Sequence, residues 1–229
     1  MRSRTLFAAL AAIAVSVPAA AQSIGDATAY SALTLSPVGG VQMAPLMGGK
    51  ADTQLSFSIR YGATDAAGGA IHRAAASFAM EAGPGQFGVT AGVGFCDGCT
   101  SLTLIGVDWL APLTTSDFRV GIRPAIGTAI SNRSGGGTYY AGAVSLPLSW
   151  VDPNATGFRF VPFLEPGFGY GTYSASGISE QHGSRAMLGG GLALLPNDAG
   201  YTIVVSAKQV FINGANVTYG IGGSFAIAR

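Results

Sequence analysis

The chain has 229 residues, of which only 10% are charged, and its twelve Lys and Arg against eleven Asp and Glu form no basic cluster. That near-neutral balance argues against a nucleic-acid partner, and a soluble secreted domain would carry about 25% charged residues. The mean hydropathy is positive, yet beyond the first residues no apolar run reaches the ~18 residues of a spanning helix. Thirty-five glycines and eleven prolines argue against many helices. The length suits one domain.

In chain order, residues 1–21 read as a secretory signal. Arg2 and Arg4 give a positive start, residues 6–17 an apolar run, and Ala19, Ala20 and Ala21 a small-residue cleavage site before Gln22. Its removal leaves ten basic against eleven acidic side chains, a net charge near −1. Residues 22–52 read as an extended lead-in, broken by Pro37, Gly39, Gly40, Pro45, Gly48 and Gly49; a short strand at 30–35 fits within it. The barrel domain is expected over 53–229.

From there, strand candidates follow at 53–61, 71–81, 86–95, 100–110, 117–129, 138–150, 157–171, 184–195, 200–210 and 215–227. Their common feature is a period of two. Leu55, Phe57, Ile59 and Tyr61 share one face. Phe87, Val89, Ala91, Val93 and Phe95 oppose Gly88, Thr90, Gly92 and Gly94, and Phe118, Val120, Ile122 and Ile126 oppose Arg119, Gly121, Arg123 and Gly127. In the last segment Val217, Tyr219, Ile221, Gly223, Phe225 and Ile227 alternate with small or mildly polar residues. A helix would smear such a pattern around its circumference. Apolar strands without spanning helices have one good solution in a membrane, a closed barrel in which every backbone group is paired. The expected fold is all-β: an up-and-down antiparallel transmembrane barrel of about ten strands, with eight or twelve as alternatives. Starting in the periplasm, outer loops fall at 62–70, 96–99, 130–137, 172–183 and 211–214, and inner turns at 82–85, 111–116, 151–156 and 196–199.

Aromatics mark the strand ends. Trp109 and Phe118 are expected opposite one another across the 111–116 turn, Trp150 and Phe158 across the next, and Tyr201 begins a strand on that side. Tyr139, Tyr140, Tyr170, Tyr173 and Phe211 gather near the other ends. Two such girdles suit anchoring at headgroup level. With this pattern the chain resembles the small bacterial outer-membrane barrels of the OmpA/OmpX type, over most of 53–229. The resemblance implies the bacterial outer membrane as location, outer-membrane lipid as partner, a monomer, and no cofactor or metal. In that class the last residue is usually aromatic; here Phe225 lies four residues before the end.

Cys96 and Cys99 enclose Asp97 and Gly98. A CxxC pair does redox work where it opens a helix in a βαβ setting, which is missing here. Asp-Gly between alternating strands is a type I′ hairpin signal, so a structural disulfide in an oxidising compartment is the favoured reading, with metal binding or redox work as the alternative. That pairing also conflicts with the pairing about 111–116 unless a β-bulge lies at Ile105-Gly106. The few charges have inward parity. Asp108 and Arg119 are expected opposite each other, with Arg123 and Glu165 further up the wall and Arg60, Arg73, Arg185 and Lys208 near the outer mouth. These read as interior ion pairs plugging the barrel, or as a basic lining for an anion-preferring pore.

Catalytic residue types are scarce. His72 and His182 are the only histidines; with Asp65, Asp97, Glu180 and the Ser179 to Ser184 neighbourhood they leave a rim-site hydrolase of lipid or peptide as the alternative. Such side chains must converge in space to act. The leading expectation is a non-enzymatic barrel with a structural role, a surface-interaction role toward an unknown extracellular ligand, or a narrow passive pore. A soluble periplasmic β-protein is the remaining alternative.

Overall fold

The computed structural model describes residues 55–66, 69–96, 101–114, 116–132, 137–175, 178–196, 201–211 and 215–227. The signal, the lead-in, Asp97, Cys99 and the side chains of Asp65 and Cys96 lie outside the described residues. Eleven segments pair in one sheet: β1 (Leu55–Ala66), β2 (Gly69–Ala82), β3 (Gly85–Cys96), β4 (Leu102–Pro112), β5 (Phe118–Ser131), β6 (Thr138–Ser145), β7 (Leu148–Trp150), β8 (Phe158–Ala175), β9 (Ile178–Pro196), β10 (Tyr201–Val210) and β11 (Ala215–Ile227). Apart from β6 and β7, each pairs antiparallel with its chain neighbour, and β11 returns to β1 from Leu55↔Ile227 to Thr64↔Thr218. Segments β6 and β7 both lie between β5 and β8. They are two halves of one wall strand, so the wall has ten. Pro147, which has no N–H to give the ladder, falls in the gap. Leu146 N still bonds Pro166 O at 2.9 Å, and Pro147 O accepts Gly121 N at 2.8 Å.

Closure removes every free edge, which is what a sheet in hydrocarbon requires. The faces segregate as the alternation predicts. Ile59, Phe78, Val89, Ile126, Phe160, Val205 and Ile221 are among more than two dozen large apolar side chains exposed on the outside within the described residues, while Ser58, Ser77, Thr90 and Ser224 are buried on the inside. Each such side chain left in water forgoes about 1.5–3 kcal/mol of burial. The sum exceeds a typical folding stability of about 5–15 kcal/mol. Acyl chains are the solvent this surface fits.

The end where Leu55 meets Ile227 is called here the terminal end, the opposite one the loop end. At the terminal end the β2–β3 turn joins Ala82↔Gly85 through Gly83, with φ 61, and Pro84. Positive φ followed by a proline is the type II′ pattern. At the loop end the strands run further than their patterning alone indicates. The segments 62–70 and 172–183, expected as loops, are largely ladder, with Ala66↔Gly69 and Ala175↔Ile178 as the last pairs. Strands β8 and β9 have 18 and 19 residues, against the ~9–11 that cross a bilayer, so their hairpin stands proud of the apolar band.

Two registers differ from expectation. The β4–β5 pairing runs through Asp108↔Ala125, Ala111↔Ile122 and Pro112↔Gly121, and Phe118 pairs with Trp150 and Arg119 with Ser149. Trp109 and Phe118 are therefore not opposed, and neither are Asp108 and Arg119. Trp150 and Phe158 are not opposed either, since the β7–β8 register runs Leu148↔Leu164 and Ser149↔Phe163. The cause is the turn itself. Thr114 Oγ1 and Ser116 Oγ donate to Phe118 O at 3.0 and 2.7 Å, and Val120 N donates to Thr114 Oγ1 at 2.9 Å. Hydroxyls that capture backbone groups in this way compete with the ladder and move the turn's centre toward β5. The β3–β4 register runs unbroken from Gln86↔Leu110 to Gly94↔Leu102. The bulge expected at Ile105-Gly106 is not there, and Leu104 is buried inside while Ile105 faces out.

Candidate functional site

The interior is the first place to seek a function, and side chains fill it in three layers. At its middle lies a polar belt. Arg60 donates to Ser77 Oγ and, at 3.2 Å, to Thr90 Oγ1, and those two hydroxyls are 2.7 Å apart. Asp108 and Arg123 are near enough for their charges to act on Arg60. Arg123 pairs with Glu165, and Ser145 Oγ donates to the same carboxylate oxygen at 2.5 Å. Lys208 lies within reach of the fields of Glu165 and Arg123. Gly189 stands between Glu165 and Lys208 in the register; a Cβ there would touch both, 3.6 Å from Lys208 Cγ and 3.7 Å from Glu165 Cβ. The glycine leaves the gap that these two longer side chains share. Arg60, Arg123 and Glu165 are each 1% exposed.

Apolar clusters flank the belt on both sides. Toward the terminal end Leu110, Val151, Val161, Phe163, Ala193, Leu195 and Val204 form one cluster. Toward the loop end Ala75, Leu104 and Ala129 pack with Leu102 and Tyr139. The Tyr139 ring stacks on Tyr173, centroids 4.5 Å apart. Gly137 makes that stack feasible, because a methyl group added there would fall within the Tyr173 ring. Gly137→Val is therefore expected to lower unfolding stability by about 1–3 kcal/mol, the usual cost of overpacking. Gly137→Val combined with Tyr173→Ala should cost less than the sum of the two changes, as chemical denaturation of the four-variant cycle would show.

Arg123 and Glu165 share the inward face as the parity predicts, but other charges occupy different places than expected. Asp108 faces Arg60 rather than Arg119. Arg60 and Lys208 belong to the central belt, not the outer mouth. Arg119 and Arg159 lie close together near the terminal end, and Arg73 and Arg185 are buried nearer the loop end. Of the aromatics, Phe118, Trp150, Phe158 and Tyr201 face outward at the terminal end, and half-buried Trp109 donates from Nε1 to Ala82 O at 3.2 Å. Tyr139 and Tyr173, placed in the upper girdle by sequence, instead turn inward and stack on each other near the loop end. Their signal was available: adjacent strand residues face opposite ways, so Tyr139 and Tyr140 cannot both meet lipid.

The histidines do not converge. His72 sits on the outer wall, its Nδ1 hydrogen-bonded to the Tyr61 hydroxyl at 2.6 Å and its ring stacked between Tyr61 and Phe95. His182 stacks on Tyr170, centroids 6.3 Å apart. Between their strands β2 and β9 stand β1, β11 and β10. Among the described residues no group of three His, Cys, Asp or Glu is placed to hold a metal.

No protein-family model matches the chain, and no curated protein sequence matches it. Solved structures do. The β domain of the Bordetella autotransporter BrkA aligns with a TM-score of 0.54 at 11% identity, over 77% of this chain and all of that one. The attachment invasion locus protein Ail of Yersinia pestis, in complex with a heparin analogue, aligns at TM-score 0.40 and 13% identity, over 75% of this chain and 95% of that one. The translocator domain of the Neisseria meningitidis autotransporter NalP aligns at TM-score 0.39 and 11% identity, over 91% of this chain and all of that one. At these identities the likeness is one of fold. The closed ladder, the apolar outside and the filled inside together make this chain an up-and-down transmembrane β-barrel of ten strands, with the architecture of the small outer-membrane barrels.

Proposed function

We propose that this protein is a sealed wall barrel of the bacterial outer membrane, whose work is structural or carried by its exposed surface rather than by solute passage or catalysis. One observation carries the reading: the polar belt of Arg60, Arg123, Glu165 and Lys208 is buried between two apolar layers. A conducting lumen needs a continuous wet path, as in barrels wide enough to leave an aqueous channel. The signal-like residues 1–21 support export, and the termini of the described barrel at one end support a periplasmic terminal side. The distance in the fold between His72 and His182 supports a non-enzymatic role.

Planar-bilayer recording is the test. The purified barrel is expected to give no unit conductance above the lipid baseline across the applied voltages. Stable steps that persist after repurification would overturn the sealed reading in favour of a pore, and a cation-to-anion permeability ratio below one would identify the arginines as its lining. Fractionation of the expressing cell should place the protein with the outer membrane; recovery in the soluble periplasm would sink the localisation.

A further inference from the structure

The outer wall carries a recess that the smooth-cylinder picture does not anticipate. A groove of about 460 Å³ crosses β4, β5, β6 and β8, lined by Ile105, Val107, Ile126, Tyr140, Gly142 and Tyr170 among others. Two outward rows of the register build it. One runs Val107↔Ile126↔Gly142↔Tyr170, the other Ile105↔Thr128↔Tyr140↔Thr172. In the first row Gly142 leaves the space between Ile126 and Tyr170 without a side chain. In the second, Thr128 and Thr172 stand lower than the Ile105 and Tyr140 beside them. The flanking Ile126, Tyr140 and Tyr170 are among the most exposed side chains of the wall, so the walls are high where the floor is low.

We propose that this groove is a lipid site, holding one ester-linked acyl chain of a bilayer phospholipid; the inference rests on the transmembrane reading of the barrel. Three features argue for that occupant. The groove is continuous with the acyl-facing surface on both sides, so its contents come from the bilayer. Its lining is almost wholly apolar, matching a hydrocarbon chain. The Tyr140 and Tyr170 rings at its border are the amphipathic kind that sit at the apolar–headgroup boundary, where ester oxygens would meet their hydroxyls. A chain seated in a recess contacts protein on several sides and loses more contact on leaving than one lying on a flat wall. The site lies toward the loop end, since Tyr140 and Thr172 are near the loop-end termini of β6 and β8.

The experiment uses the whole barrel in nanodiscs of 1-palmitoyl-2-oleoyl phosphatidylglycerol, released into detergent and weighed by native mass spectrometry. Folding is read separately, by the heat-modifiable gel shift and the strand signal in circular dichroism. The expected result is one retained phospholipid per barrel, with the retained fraction falling about tenfold in Gly142→Leu, which fills the floor. Val205→Leu, on the far wall, should change nothing. Retention that is equal in the parent and in folded Gly142→Leu overturns the site while leaving the membrane barrel standing. A barrel that stays soluble without lipid or detergent sinks the membrane reading itself. A dimer that Gly142→Leu dissociates would overturn the proposal too, because the occupant would then be a second copy.

Discussion

Glu165→Ala is expected to remove about 3–5 kcal/mol of stability, the usual result of breaking a buried ion pair and leaving its partner charged. Arg123 and Lys208 would then face one another inside a barrel where they are 1% and 2% exposed, with no carboxylate between them. Against a total of about 5–15 kcal/mol, the variant should show a urea midpoint far below that of the parent when refolded into lipid vesicles and followed by tryptophan fluorescence. The origin of the loss is checked by removing the stranded cations. Arg123→Met and Lys208→Met, added to Glu165→Ala, should recover a large part of it, because the penalty belongs to uncompensated charge rather than to lost packing. An unchanged midpoint for Glu165→Ala would mean that water already solvates the belt, and the sealed interior would go with it.

A second large effect is expected on the other face. Val205 is mid-strand in β10, exposed, and paired with Ile221 and Leu192. Placing arginine there puts a cation against acyl chains, at about 2–4 kcal/mol near the midplane. The same measurement on Glu81→Lys, an exposed position beside the β2–β3 turn, should move stability by no more than about 0.5 kcal/mol. In a soluble β-protein with a hydrated outside, Val205→Arg would be as mild as Glu81→Lys, so the ratio of the two separates the solvents directly.

Strand positions were legible because the two sides of this wall face such different surroundings. Phe87, Val89 and Val93 on one side and Gly88, Thr90 and Gly92 on the other admit a single assignment, and the ladder from Leu55 to Ile227 follows it. Register was not legible. It depends on where each turn centres, and around Thr114 and Ser116 hydroxyl-to-backbone bonds move that centre in a way spacing does not reveal. The consequence reaches the interior, since Asp108 ends beside Arg60 and not Arg119. The tilt of strands in a barrel has the same effect on height: Arg60, Arg123, Glu165 and Lys208 are far apart in the chain and come together only once the cylinder closes. The inward stack of Tyr139 on Tyr173 was half legible. Parity sends one of Tyr139 and Tyr140 inward, but Tyr173 finds its place through Gly137, a contact across strands that the sequence does not announce.

The seam between β1 and β11 has a consequence for biogenesis. The earliest stave of the wall can saturate its hydrogen bonds on that side only when the most distant one arrives, so every incomplete assembly presents two sticky flanks. Contacts of such long separation slow folding. Whatever escorts this chain must therefore shield the flank of Leu55–Ala66 from its first emergence until Ala215–Ile227 can dock, and a chain truncated before residue 215 should aggregate rather than insert as a smaller cylinder.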